Sequence, residues 1–177
     1  APTTNDLFIN FLNGNGRRLG MIQGNGGANS ISYTTTGADY AEYFALNPSV
    51  LPANYTDADR DAVFPTGTLV CQTDNGVIPC STTVNKKILG IISESPGFKG
   101  GEEGSNKVLV GLLGQLPLNV STANGDITAG DELTASNIPG VAVKATGAGQ
   151  IIGRAQESYT TANTVGSIQV SVNASWY

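Results

Sequence analysis

The chain has 177 residues with 23 glycines, 13% charged residues and no histidine. The lack of histidine excludes Ser-His-Asp, Cys-His and zinc-histidine sites, so any catalysis would have to use carboxylates, lysine, tyrosine or a hydroxyl. The net charge of −5, with only nine lysines and arginines, leaves too few cations to neutralise phosphates in quantity, which argues against a nucleic-acid partner.

Residues 1–36 are predicted to form a small β meander. Segments 7–12, 17–23 and 30–34 have strand-like apolar patterns, and turns rich in glycine and asparagine separate them. Three strands cannot enclose a core, so the meander must pack against the rest of the chain or against another subunit. We expect the first strand to bury in a neighbouring copy through the side chains of Leu7, Phe8, Ile9 and Phe11.

Residues 37–177 are the predicted main domain, which opens with an aromatic-rich segment at 37–48. Short strands follow, punctuated by glycine, proline and asparagine turns, and helix is limited to a turn near 38–44 or 57–62. This pattern predicts an all-β fold, a compact barrel or sandwich of short strands with little helix. No apolar run reaches the roughly 18 residues of a membrane-spanning helix. The predicted strands are 68–73, 76–81, 88–93, 107–120, 132–135, 141–145, 151–156 and 166–174.

Three carboxylates at alternate positions, Asp57, Asp59 and Asp61, resemble the opening of a calcium loop. The sequence departs from an EF-hand, because Ala62 stands where that loop needs glycine and Thr68 stands at its twelfth position. The alternative is a solvated acidic loop or helical turn in which Arg60 offsets its neighbours. Calcium at this loop is the only cofactor that the sequence suggests.

The two cysteines, Cys71 and Cys80, flank an Asn75-Gly76 pair, a strong signal for a two-residue hairpin turn. Folding about that turn places Cys71 opposite Cys80, which predicts a cross-strand disulfide; the alternative is two buried free thiols. Pro79 predicts an edge position for this hairpin, since proline lacks a ladder donor. A structural disulfide indicates an oxidising compartment, so we expect an extracellular or surface protein.

The C-terminal segment 167–177 alternates strictly between apolar and polar residues, as a strand with one buried face does. Trp176 and Tyr177 lie at its end. We expect this strand to dock in a sheet or to add to a neighbouring subunit, with both aromatic residues taking part in assembly.

Several sequence blocks resemble two related groups of proteins. The strands around Phe8-Ile-Asn-Phe11 and Gly20-Met-Ile-Gln-Gly-Asn-Gly26 resemble those entering the C-terminal cleavage domains of phage tail fibres and spikes. Gly37-Ala-Asp-Tyr-Ala-Glu-Tyr-Phe44 is similar to the start of their autoproteolytic intramolecular-chaperone domain and of an uncharacterised bacterial surface-protein domain. The later blocks similar to that second group are Ile88–Gly97, Val108–Pro117, Gly130–Thr134, Pro139–Ala142 and Ile151–Glu157.

The resemblance implies a homo-oligomeric β domain of an extracellular fibre or surface layer. In fibres of the endosialidase type the chain is cut before a Ser-Asp pair, and the serine acts on its own peptide bond. This sequence has Ala38-Asp39 at the matching place, so the hydroxyl is missing. Asp39 and Glu42 could still pair as acid and base, on the peptide or on a glycan, but ordinary hydrogen bonding beside a core of aromatics is the simpler interpretation.

We therefore predict a non-enzymatic structural subunit, without catalytic residues, that assembles with copies of itself through β edges. We expect it to belong to an extracellular filament, fibre or surface array, at a cell or virion surface. One alternative is a glycan-binding or receptor-binding tip domain of a phage-like fibre, whose partner is a surface glycan. Another is an autoproteolytic intramolecular chaperone.

Overall fold

A computed structural model describes residues 6–25, 30–35, 37–82, 87–162 and 164–176, without the side chains of residues 25, 30 and 176. The protein is mostly β, with 53% strand and 6% helix, which confirms the predicted all-β class. The chain divides into two units, Ala1–Ala38 and Asp39–Tyr177. Each unit is described below by itself.

The first unit is a three-stranded antiparallel sheet. Its strands are β1 (Leu7–Leu12), β2 (Arg18–Asn25) and β3 (Ser30–Thr35), in the order β1-β2-β3. The Asn13 side chain fixes the β1–β2 turn, since its Oδ1 accepts hydrogen bonds from the backbone N–H groups of Asn15 and Arg17. All six residues of β1 are exposed, although strand residues alternate between two faces. Neither face of β1 is therefore covered within this unit.

The second unit contains ten strands and one short helix among its described residues. A 3₁₀ turn at Pro48–Val50 and the helix α1 (Asp57–Val63) follow the first strand. The strands are β4 (Asp39–Ala45), β5 (Leu69–Thr73), β6 (Gly76–Pro79), β7 (Ile88–Ile92), β8 (Phe98–Gly100), β9 (Lys107–Ser121), β10 (Glu132–Ala135), β11 (Ala142–Lys144), β12 (Gln150–Ala155) and β13 (Val165–Trp176).

Five of these strands form a barrel in the order β11-β10-β12-β13-β9. The barrel closes where β11 pairs in parallel with β9, through Ala142 and Val120. Strand β9 is 15 residues long and belongs to two layers. Its residues 113–121 pair with β13, and its residues 107–114 pair with β4. The long strand thus joins the barrel to the smaller layer formed with β4, β7, β5 and β6.

Two hydrophobic cores stabilise this unit. The barrel core includes Leu118, Ile127 and Ile152, none of which exposes any surface. A second core under α1 includes Phe64, Val70, Val77 and Val110, and further apolar side chains pack against it. Full burial of one such side chain contributes about 1.5–3 kcal/mol, so these two clusters dominate the stability of the unit.

The hairpin between β5 and β6 has a different register from the one predicted. Thr73 pairs with Gly76, so the two-residue turn is Asp74-Asn75 and not Asn75-Gly76. Gly76 has φ +116°, and a Cβ there would lie 2.6 Å from the carbonyl oxygen of Ala45. The glycine is needed for this close backbone approach, where Leu46 forms a parallel bridge with Val77. A long-range contact, and not the turn, therefore determines the position of the glycine.

The predicted disulfide is present, and it joins diagonal positions of the hairpin. Cys71 is directly opposite Ile78, two residues before Cys80, and the Cα atoms of the two cysteines are 4.9 Å apart. Both cysteines are buried in the barrel core. Strand β6 ends the path of hydrogen-bonded strands, as Pro79 predicted.

Candidate functional site

The first unit exposes a large apolar surface. Eight large apolar side chains of its three strands each expose between 42% and 62% of their area, and we call this set the sheet surface. Large exposed apolar patches on soluble proteins mark interaction sites, so these side chains are a candidate site of this kind. Its members are Leu7, Phe8, Ile9, Phe11, Leu12, Leu19, Ile31 and Tyr33.

The sheet surface is ordered by local contacts. The rings of Phe11 and Tyr33 meet edge to face, with centroids 6.3 Å apart. Gly20 lies directly opposite Phe11, and a Cβ there would lie 2.8 Å from the carbonyl oxygen of Thr34, so the close approach of the β3 backbone requires this glycine. Arg18 lies along its own sheet, where Nε donates to Asn10 Oδ1 and Nη1 contacts the sulfur of Met21.

The four predicted assembly residues of β1 lie together on the sheet surface. Leu7, Phe8, Ile9 and Phe11 are all exposed. Trp176 ends β13, and its backbone pairs with Gln150. The Trp176 side chain and all of Tyr177 lie outside the described residues, so their role in assembly stays a prediction.

The three aspartates predicted to bind calcium lie in the helix α1, and not on a curled loop. Asp59 completes a capping box, since it accepts a hydrogen bond from the Thr56 N–H while Thr56 Oγ1 accepts from the Asp59 N–H. The Thr56 N–H and the Thr56 hydroxyl both donate to Asp59 Oδ2, and these two bonds hold the pKa of Asp59 below its ordinary value. Asp57 and Asp61 each form an ion pair with Arg60 at 3.0 Å.

Within the part of the chain that the structure describes, no group of three or more carboxylate, cysteine or histidine side chains could hold a metal ion. The contacts of Asp57, Asp59 and Asp61 match the alternative interpretation, a helical turn in which Arg60 offsets its neighbours. Calcium binding at these residues stays an untested prediction.

Asp39 and Glu42, the carboxylates nearest the implied cleavage position, contact different neighbours. Asp39 Oδ2 is buried without a hydrogen-bond partner among the described residues and lies close to Gly111 of β9. Burial raises the pKa of Asp39, and a hydrogen bond with the Ser93 side chain opposes this shift. Glu42 lies against Gly100 of β8 and accepts a hydrogen bond from the Tyr40 hydroxyl, which raises the pKa of Tyr40.

A row of apolar side chains on the second unit was not predicted from the sequence. Tyr40 pairs with Phe98 on one side and with Leu113 on the other, which aligns the three residues across β8, β4 and β9. The rings of Tyr40 and Phe98 are stacked with centroids 5.0 Å apart, and Phe98 and Leu113 are exposed. The strands carrying these residues are distant in the sequence, so no local pattern indicates the row.

The second unit also has a groove of about 470 Å³ beside α1. Its floor is apolar and includes Phe64, Ile92 and Val108, which belong to the second core. Its rim carries both signs of charge, and Lys99 Nζ lies 5.7 Å from the centroid of the Tyr43 ring. Such a rim favours no single sign of ligand charge.

Among the described residues, no helix has the length and apolar character needed to cross a membrane.

Two solved structures of bacteriophage phi29 gene product 12 have a similar fold. The pre-mature protein matches with a TM-score of 0.56 and 19% identity, over 88% of this chain and 24% of that chain. The C-terminal fragment matches with a TM-score of 0.53 and 20% identity, over 76% of this chain and 100% of the fragment. This chain thus spans about a quarter of the length of the pre-mature protein.

No protein-family model and no curated protein matches the chain. At the identities found, the likeness to gene product 12 shows a shared fold. A phage protein as structural neighbour agrees with the phage side of the resemblance seen in the sequence. The resemblance to the bacterial surface-protein domain stays a prediction. The chain therefore has a fold that is also found in a bacteriophage protein.

Proposed function

We propose that this chain is a structural domain of a phage-type fibre, in which the sheet surface associates with copies of itself. The sheet surface carries the proposal, because three strands with both faces of β1 exposed cannot be stable in water alone. The strands β1 and β3 are both edges of their sheet, so they also present unpaired backbone groups to a neighbour.

The size of the sheet surface suits association. Covering the exposed half of its eight apolar side chains contributes roughly 6–12 kcal/mol per chain, at about 1.5–3 kcal/mol for each fully buried side chain. Association costs on the order of 4–15 kcal/mol in lost translational and rotational freedom. The two magnitudes are comparable, so most of the surface must be covered for a stable assembly.

The fold likeness to a phage protein supports a place on a virion, and the disulfide between Cys71 and Cys80 supports an oxidising environment. Neither observation depends on the sheet surface. All three agree with a fibre-like assembly outside the cell.

A matched pair of charge substitutions tests this assembly. Ile9→Asp places a carboxylate on the sheet surface, whereas Asn10→Asp places the same charge on the adjacent residue and keeps the acceptor for Arg18. We expect the native protein and Asn10→Asp to have the same oligomeric mass by light scattering, and Ile9→Asp to be a monomer. A monomeric native protein, or an unchanged mass for Ile9→Asp, would contradict the proposal.

The second unit is proposed to contact a receptor glycan. The exposed row of Tyr40, Phe98 and Leu113 favours this function, because flat apolar groups pack against the C–H faces of sugar rings. Binding of the full chain to immobilised glycans, compared between the native protein and Phe98→Ala, tests it. Phe98 is exposed, so its removal leaves the cores intact, and unchanged binding would exclude this row as the contact.

Self-cleavage at the Ala38-Asp39 pair is a third candidate. The division between the two units falls at Ala38 and Asp39, and the Asp39 carboxyl has one buried oxygen without a partner among the described residues. The intact mass of freshly expressed protein decides this question. Two fragments that meet at this junction would support cleavage, and a single intact mass would exclude it under those conditions.

A further inference from the structure

The two faces of the sheet in the first unit differ in composition. The strand register shows which residues share a face, because directly opposite residues of neighbouring strands point to the same side. Ile9, Ile22 and Tyr33 are aligned in one such row across β1, β2 and β3. Phe11 and Ile31 lie on the same side, because each is two positions from a member of this row.

This side of the sheet has no charged residue. The ring contact between Phe11 and Tyr33, with centroids 6.3 Å apart, confirms that these two residues share a face. Four of its large side chains each expose between 42% and 62% of their area. We call this side the uncharged face, and it consists of Ile9, Phe11, Gly20, Ile22, Gly24, Ile31, Tyr33 and Thr35.

The opposite side, which we call the mixed face, has a polar centre. Asn10, Met21 and Thr34 are aligned in its central row. The Arg18 side chain lies on this side, since Nε donates to Asn10 Oδ1 at 2.9 Å and Nη1 lies 3.4 Å from the sulfur of Met21. Packing this face on a copy of itself would take the guanidinium out of water and bring it towards a like charge. The mixed face is therefore suited to solvent.

The remaining exposed apolar residues of this sheet lie at its margins. Leu7 and Leu12 are at the two ends of β1 on the side of the mixed face. Phe8 and Leu19 lie at the two register shifts, where a residue has no direct partner on the neighbouring strand. These four side chains do not form a continuous layer, so the uncharged face is the principal apolar surface of the sheet.

The charge distribution of the chain favours a second copy as the cover of this face. Residues 1–38 contain one acidic and two basic residues, so of the net charge of −5 the remaining residues carry −6. Second units of different copies therefore repel one another. In a two-fold contact a face meets itself, and a face without charge brings no like charges together.

We propose that the uncharged face packs directly on the uncharged face of a second copy. The result is a two-layered sheet whose interior contains Ile9, Ile22 and Tyr33 of both chains. Stacked sheets lie about 10 Å apart, a space that apolar side chains of this size fill. The mixed face stays in water. The proposal rests on the proposed self-association of the sheet surface, and it names the face through which the copies meet.

Two cysteine variants of the full chain report which face is covered. The two native cysteines are joined in the disulfide, so Ile31→Cys and Thr34→Cys each introduce a single free thiol. Both positions are exposed residues of β3, and they lie on opposite faces. Assembly should slow the reaction of the Ile31→Cys thiol with a maleimide roughly ten-fold, because a thiol in the contact reacts only in the dissociated fraction. The Thr34→Cys thiol should react at the same rate in the assembled and the diluted protein.

A matched pair of charges on neighbouring residues tests the same face by affinity. Tyr33→Asp places a carboxylate on the uncharged face, and Thr34→Asp places the same charge on the mixed face. Both residues are exposed, so both variants keep the fold of the sheet. We expect Tyr33→Asp to raise the dissociation constant of the oligomer at least roughly ten-fold, because the contact would bury an unpaired charge. Thr34→Asp should leave it unchanged, as measured by sedimentation equilibrium over a range of concentrations.

The outcomes separate this proposal from the proposed self-association. If the native chain assembles and Ile9→Asp dissociates it, but neither thiol is protected, the copies meet through strand edges; the self-association then stands and the proposed face contact fails. Protection of Thr34→Cys alone would assign the contact to the mixed face. If Phe98→Asp weakens assembly as much as Tyr33→Asp, the cover is the second unit of another copy. Each of these results overturns the proposal, and a native chain that stays monomeric at every concentration overturns both.

Discussion

Both units consist of strands rich in apolar residues, and they differ in what covers those residues. In β9 the side chains of Leu116, Leu118 and Val120 point into the barrel and are buried, because a second layer of strands closes over them. In β1 every residue is exposed, because a three-stranded sheet has no second layer of its own. An apolar strand pattern therefore predicts a strand, and the number of packed layers decides whether its side chains are buried within their own unit.

The largest expected effect comes from a substitution in the barrel core, which should destabilise the protein far more than a substitution in the first unit. Leu118→Ala leaves a cavity in the barrel core and should lower the free energy of unfolding by about 2–5 kcal/mol. Phe11→Ala, on the sheet surface, should change it by no more than about 0.5 kcal/mol at concentrations where the chain is monomeric. Chemical denaturation of both variants measures the difference. Equal losses would show that the sheet surface is covered within the single chain.

Removing the disulfide should affect only the second unit. Its two cysteines are nine positions apart in sequence, and a crosslink of that length stabilises a fold by about 2–3 kcal/mol in the chain-entropy model. The double variant Cys71→Ala/Cys80→Ala should lose this amount, and reductant should have the same effect on the native protein. The oligomeric mass should not change, and a change would mean that the sheet surface depends on the second unit.

Removing the helix cap should have a smaller effect on the same unit. Thr56→Ala deletes the hydroxyl that accepts from the Asp59 N–H, which should cost about 1 kcal/mol. Thr66→Ala provides a control at an exposed threonine between α1 and β5, where we expect little change. Thermal unfolding followed by circular dichroism measures both variants, and an equal shift in the two would argue against the cap as a source of stability.

The pH dependence of folding stability should show the smallest difference between the two units. Among the described residues, the groups with shifted pKa values all lie in the second unit, namely Asp39, Tyr40, Asp59 and Asp131. The pKa of Asp131 is lowered, first by its hydrogen bond with Lys144, so its contribution is present above pH 3.8 and lost as pH falls through the lower folded value. The pKa of Asp39 is raised, so the folded state loses stability as pH rises from 3.8 through the higher folded value.

Asp39→Asn removes this second effect, so the variant should gain melting temperature relative to the native protein as pH rises above about 4. Melting curves across the acidic range measure the gain, and Asp131→Asn should change them in the opposite direction. The mass of the oligomer should stay constant over the same range. An oligomeric mass that changed with pH would show that assembly through the sheet surface depends on titratable groups of the second unit. The two units would then not behave independently.

Local patterns in the sequence predicted the features that depend on neighbouring residues. The apolar run 7–12 predicted β1, and the alternation after residue 166 predicted β13. The Asn75-Gly76 turn signal between Cys71 and Cys80 predicted the disulfide, although the hairpin has a different register. For the segment that forms α1, the sequence predicts either an acidic loop or a helical turn. Its capping box has aspartate at the third position, Asp59, where glutamate or glutamine is the usual signal.

Features set by long-range contacts could not be predicted in this way. The hairpin register depends on the backbone of Ala45 and Leu46 passing Gly76, some 30 residues away along the chain. A cavity of about 560 Å³ at one end of the barrel is lined by Ser121 and Thr164, which the β9–β13 ladder brings together, and by Asn137, whose turn reaches them because β11 closes against β9. No segment of the sequence contains a pattern for that closure.

The parallel closure of the barrel has a consequence for its dynamics. A single residue pair, Ala142 with Val120, joins the two ends of the barrel, whereas β9 and β13 share nine pairs. Local opening at this seam breaks few hydrogen bonds and leaves the other strand pairs intact, so amide protons near it should exchange with solvent before those of the β9–β13 ladder.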